Sequence, residues 1–263
     1  MASYISDFAG IFTGHKNSYV VHVPPFTKNG NKVTAAKVYY KKSQKSKEFV
    51  PLDITDYEKH LRGDIGLAVS PLMGNNDGLR DSCYFAVIDV DIYDSQISLE
   101  QMEQLMSAYP CIIKRSKSNG FHIFFFFKKM ELAKDVREQL MYIRYILGLN
   151  ILFNSRVEVF PEYDHVTDKK AHCLFLPFFN SKESEVKEFF KEVKKVFTSA
   201  ETLKKINQST RFNYLPVCIE AKINAHMIEP MSNRNNFLFF FLTFLISTEV
   251  NRPEDKFSEI GEH

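Results

Sequence analysis

The chain has 263 residues, 44% of them hydrophobic, with 25 Phe and no Trp. That suits one large core or two modest ones and excludes a disordered chain. A formal net charge of +2 is too small to argue for nucleic acid by overall attraction, and four scattered cysteines without a C-x-x-C pair exclude a disulfide frame and a tetrahedral zinc site.

Residues 1–80 read as an extension of mixed strands and loops, with Pro24 and Pro25 among them. From Lys16 to Glu48 the chain carries Lys16, Lys28, Lys32, Lys37, Lys41, Lys42, Lys45 and Lys47 against the single acid Glu48. Such a segment can neutralise phosphates, and a solvated Lys-rich edge has the same composition.

The middle of the chain is more regular. Tyr84–Val90 (YFAVIDV) is a short apolar run ending in acids and predicts a buried strand. Ser98 to Gln101 is a capping-box signature opening a helix that stops before Pro110. Cys111–Arg115 predicts a second strand, 116–120 a turn, and Phe121–Phe127 (FHIFFFF) a third strand. Leu132, Val136, Leu140, Ile143 and Leu147 recur at helical spacing up to Gly148, and Arg156–Phe160 predicts a fourth strand halted by Pro161. The order β-α-β-β-α-β is that of an α+β fold of the split βαβ kind, as in ferredoxin-like and RNA-recognition domains.

Farther on, Cys173–Leu176 reads as a strand and Val186, Phe189, Phe190, Val193 and Val196 as an amphipathic helix. A polar, irregular stretch follows from about Thr202 to Asn233, and a last helix begins near Asn235. His165, His172 and Cys173 match no standard ligand spacing. The apolar run Phe237–Ile246 is too short to span a bilayer, so a soluble, cytoplasmic protein is expected. These boundaries give a domain at 1–200 (extension 1–80, split βαβ core 81–180) and, at 201–263, a linker with the start of a helical module.

In the split βαβ arrangement the strand order is 4-1-3-2, which sets the first strand between the third and fourth. Asp89 and Asp91 then point to one face, with Val90 on the other. His122 on the third strand and Glu158 on the fourth converge on the same face. Each alone has a bland explanation: a strand end meeting solvent, a core histidine, an exposed strand position. Together they suggest a site. Carboxylates this close repel each other, and a pair of divalent cations removes that cost while supplying what phosphoryl transfer needs. All-oxygen donors favour Mg²⁺ or Mn²⁺. The turn Arg115-Ser116-Lys117-Ser118-Asn119-Gly120 leads into His122 with two cations, two hydroxyls and a glycine, a composition suited to a polyphosphate.

These motifs, FAVIDVD (85–91), RSKSNGFH (115–122) and VEVF (157–160), resemble the archaeo-eukaryotic primase, or primase–polymerase, superfamily. HLRGDIGLAVSPL (60–72) and FLPFF (175–179) are similar to the branch found in mobile elements, conflict systems and CRISPR loci. SNRNNFLFFFLTFLI (232–246) resembles the start of the helical module that follows the catalytic domain in many phage and prokaryotic primases. The likeness covers roughly residues 55–250. It implies template-directed joining of nucleoside triphosphates, ribo- or deoxyribo-, to a 3′-hydroxyl on a single-stranded DNA template and primer. It also implies metal ligation by Asp89, Asp91 and Glu158, with the triphosphate held by His122, Ser116, Lys117 and Ser118. Arg115 in the same turn, and Lys169 or Lys170 near the following strand, are further candidates for nucleotide binding. Two family features are missing: a zinc module and a phosphate-loop helicase motif, so a helicase would be supplied separately or by a further region.

Two other readings compete. One is a non-catalytic single-strand binder, with His122, Phe124 and Phe126 as a stacking face. The other is a metal-dependent nuclease or nicking replication protein, although no His-x-His pair is present.

Overall fold

The computed structural model describes residues 3–24, 26–28, 31–33, 36–39, 41–42, 49–73, 81–91, 97–116, 120–149, 157–165 and 172–209. The extension begins with α1 (Ser3–Ile11), β1 (Tyr19–Val23), β2 (Phe26–Lys28), β3 (Asn31–Val33), β4 (Ala36–Tyr39), β5 (Lys41–Lys42) and β6 (Phe49–Val50). It continues with α2 (Ile54–Arg62) and β7 (Gly66–Val69). Next come β8 (Ser82–Val90), α3 (Leu99–Leu105), β9 (Ile112–Arg115), β10 (Phe121–Leu132), α4 (Ala133–Ile146) and β11 (Val157–Phe160). Then follow β12 (Leu174–Phe175), α5 (Glu183–Lys195) and α6 (Ala200–Ser209). The chain divides into compact units Met1–Asn207 and Gln208–His263.

The fold is mixed α+β, with two four-stranded antiparallel sheets. The first runs β12-β7-β1-β4 and the second β11-β8-β10-β9. Short ladders join β2 to β3 and β5 to β6.

Local chemistry explains where elements start and stop. The Ser98 side chain accepts from the Gln101 N–H while Gln101 reaches back to the Ser98 N–H, closing the capping box that opens α3. Asp53 and Asp56 make the same reciprocal cap on α2. That helix ends at Gly63, whose φ of +82° is a conformation other residues resist, and a Cβ there would meet the Asn180 side chain at 2.7 Å. The sequence reading saw only strands and loops in this region, because polar residues dominate α2 and hide its narrow apolar stripe, Tyr57 and Leu61.

Two other expectations change. β10 runs on to Leu132 instead of ending at Phe127, with a register shift against β8 between Phe126 and Glu131. Lys128 and Lys129 end the apolar run but leave the extended backbone intact, and Leu132 stands exposed at the strand end, as the N-cap residue of α4 rather than a member of its buried stripe. Second, α6 occupies residues where an irregular linker was expected from about Thr202. Its Ala200 and Leu203 are buried. The buried Asn207 accepts from the Tyr109 phenol at 3.0 Å and donates to the Gln139 backbone and side-chain oxygens at 3.2 and 3.1 Å. Two buried contacts and a polar network hold a helix that its Lys- and Glu-rich face disguises.

The second sheet is buried on both faces. On one, Ala86, Ile88, Val90, Phe121, Ile123, Phe125, Val157 and Val159 pack with α3, α4 and α6 through Met102, Val136, Leu140, Ile143 and Leu203. On the other, Phe85, Val87, Ile112, Phe124, Phe126 and Phe160 pack with α1, α2, α5 and the first sheet. Phe12 sits at the centre of this second layer, its ring 5.3 Å from Phe85, 5.7 Å from both Phe124 and Phe126, and 6.0 Å from Phe189. Phe124 and Phe126 are thus core residues and cannot form an open stacking face for bases.

Cys83, Cys111 and Cys173 are free thiols, and His172 pairs with Glu162. No helix of the described residues is long and apolar enough to cross a membrane. Of the Lys-rich segment, Lys16 and the strand residues Lys28, Lys32, Lys37, Lys41 and Lys42 are among the described residues. Lys45 and Lys47 lie outside them, as does everything beyond Ser209, including the run 237–246 and the helix expected near Asn235.

Candidate active site

Register brings the chemistry together. Asp89 on β8 lies opposite His122 on β10 and opposite Glu158 on β11, while His122 also lies opposite Lys114 on β9. Directly opposed residues on neighbouring strands share a face. Lys114, His122, Asp89 and Glu158 therefore form one row across the whole sheet. One step along the same face, Ile112, Phe124, Val87 and Phe160 form an apolar row in the same strand order. The polar row stands where the buried layer between the sheets gives out.

Burial sets the electrostatics. His122 is 8% exposed, and desolvation holds its imidazole down to about 4, so it is neutral at physiological pH. Desolvation, then the charges of Asp91 and Glu158, push the Asp89 carboxyl up to about 7. These two charges act on Asp89 only because they are near. The His122 Nε2 stands 3.4 Å from the Asp89 Oδ1, and this contact is not an ion pair. A neutral ring faces a carboxyl that holds a proton about half the time near pH 7. Among the described residues, the buried Oδ1 of Asp89 has no hydrogen-bond donor.

The two described ends of the connection between β9 and β10, Ser116 and Gly120, meet beside the end of β8. The Ser116 N–H donates to the Gly120 carbonyl at 2.9 Å. A Cβ on Gly120 would come within 2.3 Å of the Val90 carbonyl oxygen and 3.1 Å of the Ser116 Oγ. Glycine is needed there for close backbone approach beside Asp91.

The other sequence candidates fare differently. Arg115 is turned to the opposite face of the sheet: its guanidinium lies 4.0 Å over the Phe121 ring and donates to the Ile97 carbonyl. Strand alternation explains this, because Arg115 is the register partner of Phe121 and not of His122. Its neighbour Lys114 occupies the site face, which the sequence reading missed although counting back from the 115–121 pair reveals it. Lys117, Ser118, Lys169 and Lys170 lie outside the described residues.

Asp89, His122 and Glu158 thus share one row of a four-stranded antiparallel sheet, with Lys114 at its β9 end and Asp91 adjoining it. The family model for the archaeo-eukaryotic primase domain of the TOTE conflict system matches residues 5–213, and the chain belongs to that family. No curated protein matches the chain.

The donor chemistry fits divalent cations. Three carboxylates share a face, one has an orphaned buried oxygen, and their repulsion is what a cation relieves. Among the described residues, however, no three His, Cys, Asp or Glu side chains are already drawn together as a metal cage.

Proposed function

We propose that this domain is a template-dependent nucleotidyltransferase, a DNA primase or polymerase that joins nucleoside triphosphates to a 3′-hydroxyl. The observation that carries the reading is the shared row of Glu158, Asp89 and His122, with Asp91 adjoining it. The strand order β11-β8-β10-β9, with α3 and α4 on one face, supports taking the second sheet as a split βαβ core, with residues 1–80 as its extension.

In this reading Asp89, Asp91 and Glu158 hold two Mg²⁺ or Mn²⁺ ions. Bound there, divalent cations would lower the pKa of the attacking hydroxyl and stabilise the pyrophosphate leaving group. His122 is neutral, so one ring nitrogen is a donor, and burial beside the acids fits it to donate to a phosphate oxygen. Ser116, with Lys117 and Ser118, offers further donors from the turn. Burial of Asp89 and His122 keeps competing water away from the row. Rate enhancement then comes from positioning and fixed charge, with no covalent intermediate. The partners are a single-stranded DNA template, a primer and NTPs or dNTPs, with unwinding supplied by a helicase, separate or in a further region.

A template-directed assay with Mg²⁺ or Mn²⁺, run with and without a primer, tests the proposal. Incorporation in both reactions identifies a primase–polymerase, and incorporation only with primer a polymerase. Tight template binding without any incorporation would refute the enzymatic reading.

A further inference from the structure

We infer that Lys114 is a binding residue for the terminal phosphates of the incoming nucleotide, held in reserve by Glu192 until the triphosphate arrives. The inference rests on the nucleotidyl-transfer reading above and names one further residue of that site.

Four observations carry it. Lys114 is the register partner of His122 and stands at the β9 end of the row that ends in Glu158 on β11. Strands lie about 4.8 Å apart, so charge along the row runs from a cation through a neutral donor to the acids over about 14 Å. A triphosphate with its reacting phosphorus near the acids would extend its tail along the row toward the cation. Second, the sequence candidate for this role, Arg115, is committed to the other face by Phe121 and Ile97. Third, the Lys114 Nζ is held by an exchangeable contact: the Glu192 carboxylate of α5 at 3.1 Å, both side chains partly exposed. A triphosphate tail offers more negative charge than one carboxylate. Fourth, Lys114 and Glu192 line a cavity of about 590 Å³ at the β9 edge of the sheet, with residues of α3 and β9, so the lysine borders open space beside the row. The Lys114 Nζ also lies 5.5 Å from the centre of the Phe189 ring.

Calorimetric titration with ATP and with AMP in Mn²⁺ buffer tests this, using the parent protein, Lys114→Met, Lys114→Arg and Glu192→Gln. Loss of one charge-assisted contact predicts a roughly 10- to 100-fold weaker ATP affinity for Lys114→Met, unchanged AMP affinity, and substantial recovery in Lys114→Arg. Glu192→Gln removes the competitor and is expected to tighten ATP binding several-fold. If the pair merely anchors α5 on β9, both Lys114→Met and Glu192→Gln would loosen that packing, and ATP and AMP affinities would fall together or not at all. That result overturns the inference while the parent protein still binds ATP. A parent protein that binds neither nucleotide removes the underlying reading as well.

Discussion

Asp89 and His122 face each other across β8 and β10 at 3.4 Å, and burial drives their proton affinities in opposite directions, the carboxyl up to about 7 and the imidazole down to about 4. The contact is thus a meeting of two groups that both resist charge. In the proposed reading, a bound cation would relieve the cost of charging Asp89.

The first consequence concerns stability without divalent ions. The folded-state pKa of Asp89 is raised above its ordinary value of 3.8, so the folded protein binds the extra proton between these two values. Stability from this group is fully present below about 3.8 and is lost as pH rises to about 7. Asp89→Asn removes the charge permanently. In chelator at pH 8 it is expected to stabilise the fold by on the order of 2–4 kcal/mol, with little difference near pH 4. Thermal unfolding at the two pH values checks this, and a destabilised variant at pH 8 would contradict it.

The same substitution should remove activity. Asp89→Asn, Asp91→Ala and Glu158→Ala are each expected to lower nucleotide incorporation by at least roughly 10²- to 10³-fold, because each takes a charge from the cluster assigned to the reacting phosphate. His122→Ala should act mainly on the nucleotide KM. Steady-state extension kinetics separate the two patterns. Full activity in Asp89→Asn would show that the chemistry happens elsewhere.

His60 predicts acid sensitivity far from the acidic row. Its Nδ1 accepts the Leu67 N–H at 3.1 Å and its Nε2 donates to the Pro177 carbonyl at 2.9 Å, which fixes a neutral ring inside the extension. Burial lowers its pKa from 6.5 to about 4. The unfolded chain therefore binds the proton first as pH falls. Stability is complete above about 6.5 and is lost progressively toward about 4, on the order of 3 kcal/mol from this one residue. Urea unfolding between pH 7 and 4 should show the loss. A His60→Gln variant should start less stable and show a flatter profile over that range.

Gly120→Ala tests the turn. The added methyl would push the connection away from the Val90 carbonyl, and a displacement of about 1 Å beside a reacting centre costs up to about 10²-fold in rate. The fold should survive, because Gly120 belongs to neither apolar cluster. Circular dichroism and extension assays on the same preparation would show intact structure with lowered activity.

The order of β8, α3, β9, β10, α4 and β11 was legible because local signals mark it: a cap at Ser98, a short apolar run through Phe121–Phe127 after a turn, helical spacing through Val136, Leu140 and Ile143. The closeness of Asp89, His122 and Glu158 was legible for a related reason, since antiparallel neighbours with period-two alternation leave few ways to arrange three strands. The side-chain facing of β9 was missed. Arg115 and Lys114 are both basic and adjacent, and only the exact hairpin register decides which one joins His122. The extension was least readable. α1 owes its burial to α2 and to Phe189 of α5, partners far away in the chain, and no short window contains that information.

Asn207 has a practical consequence. Its amide bolts the last turn of α6 to Tyr109 and Gln139, so any shortened version of this unit has to keep α6 through Asn207. Cutting before Ala200 would strip Leu203 from its seat and strand a phenol and a carboxamide in an oily hollow. Such a truncation would aggregate even though every residue of the acidic row remained in place.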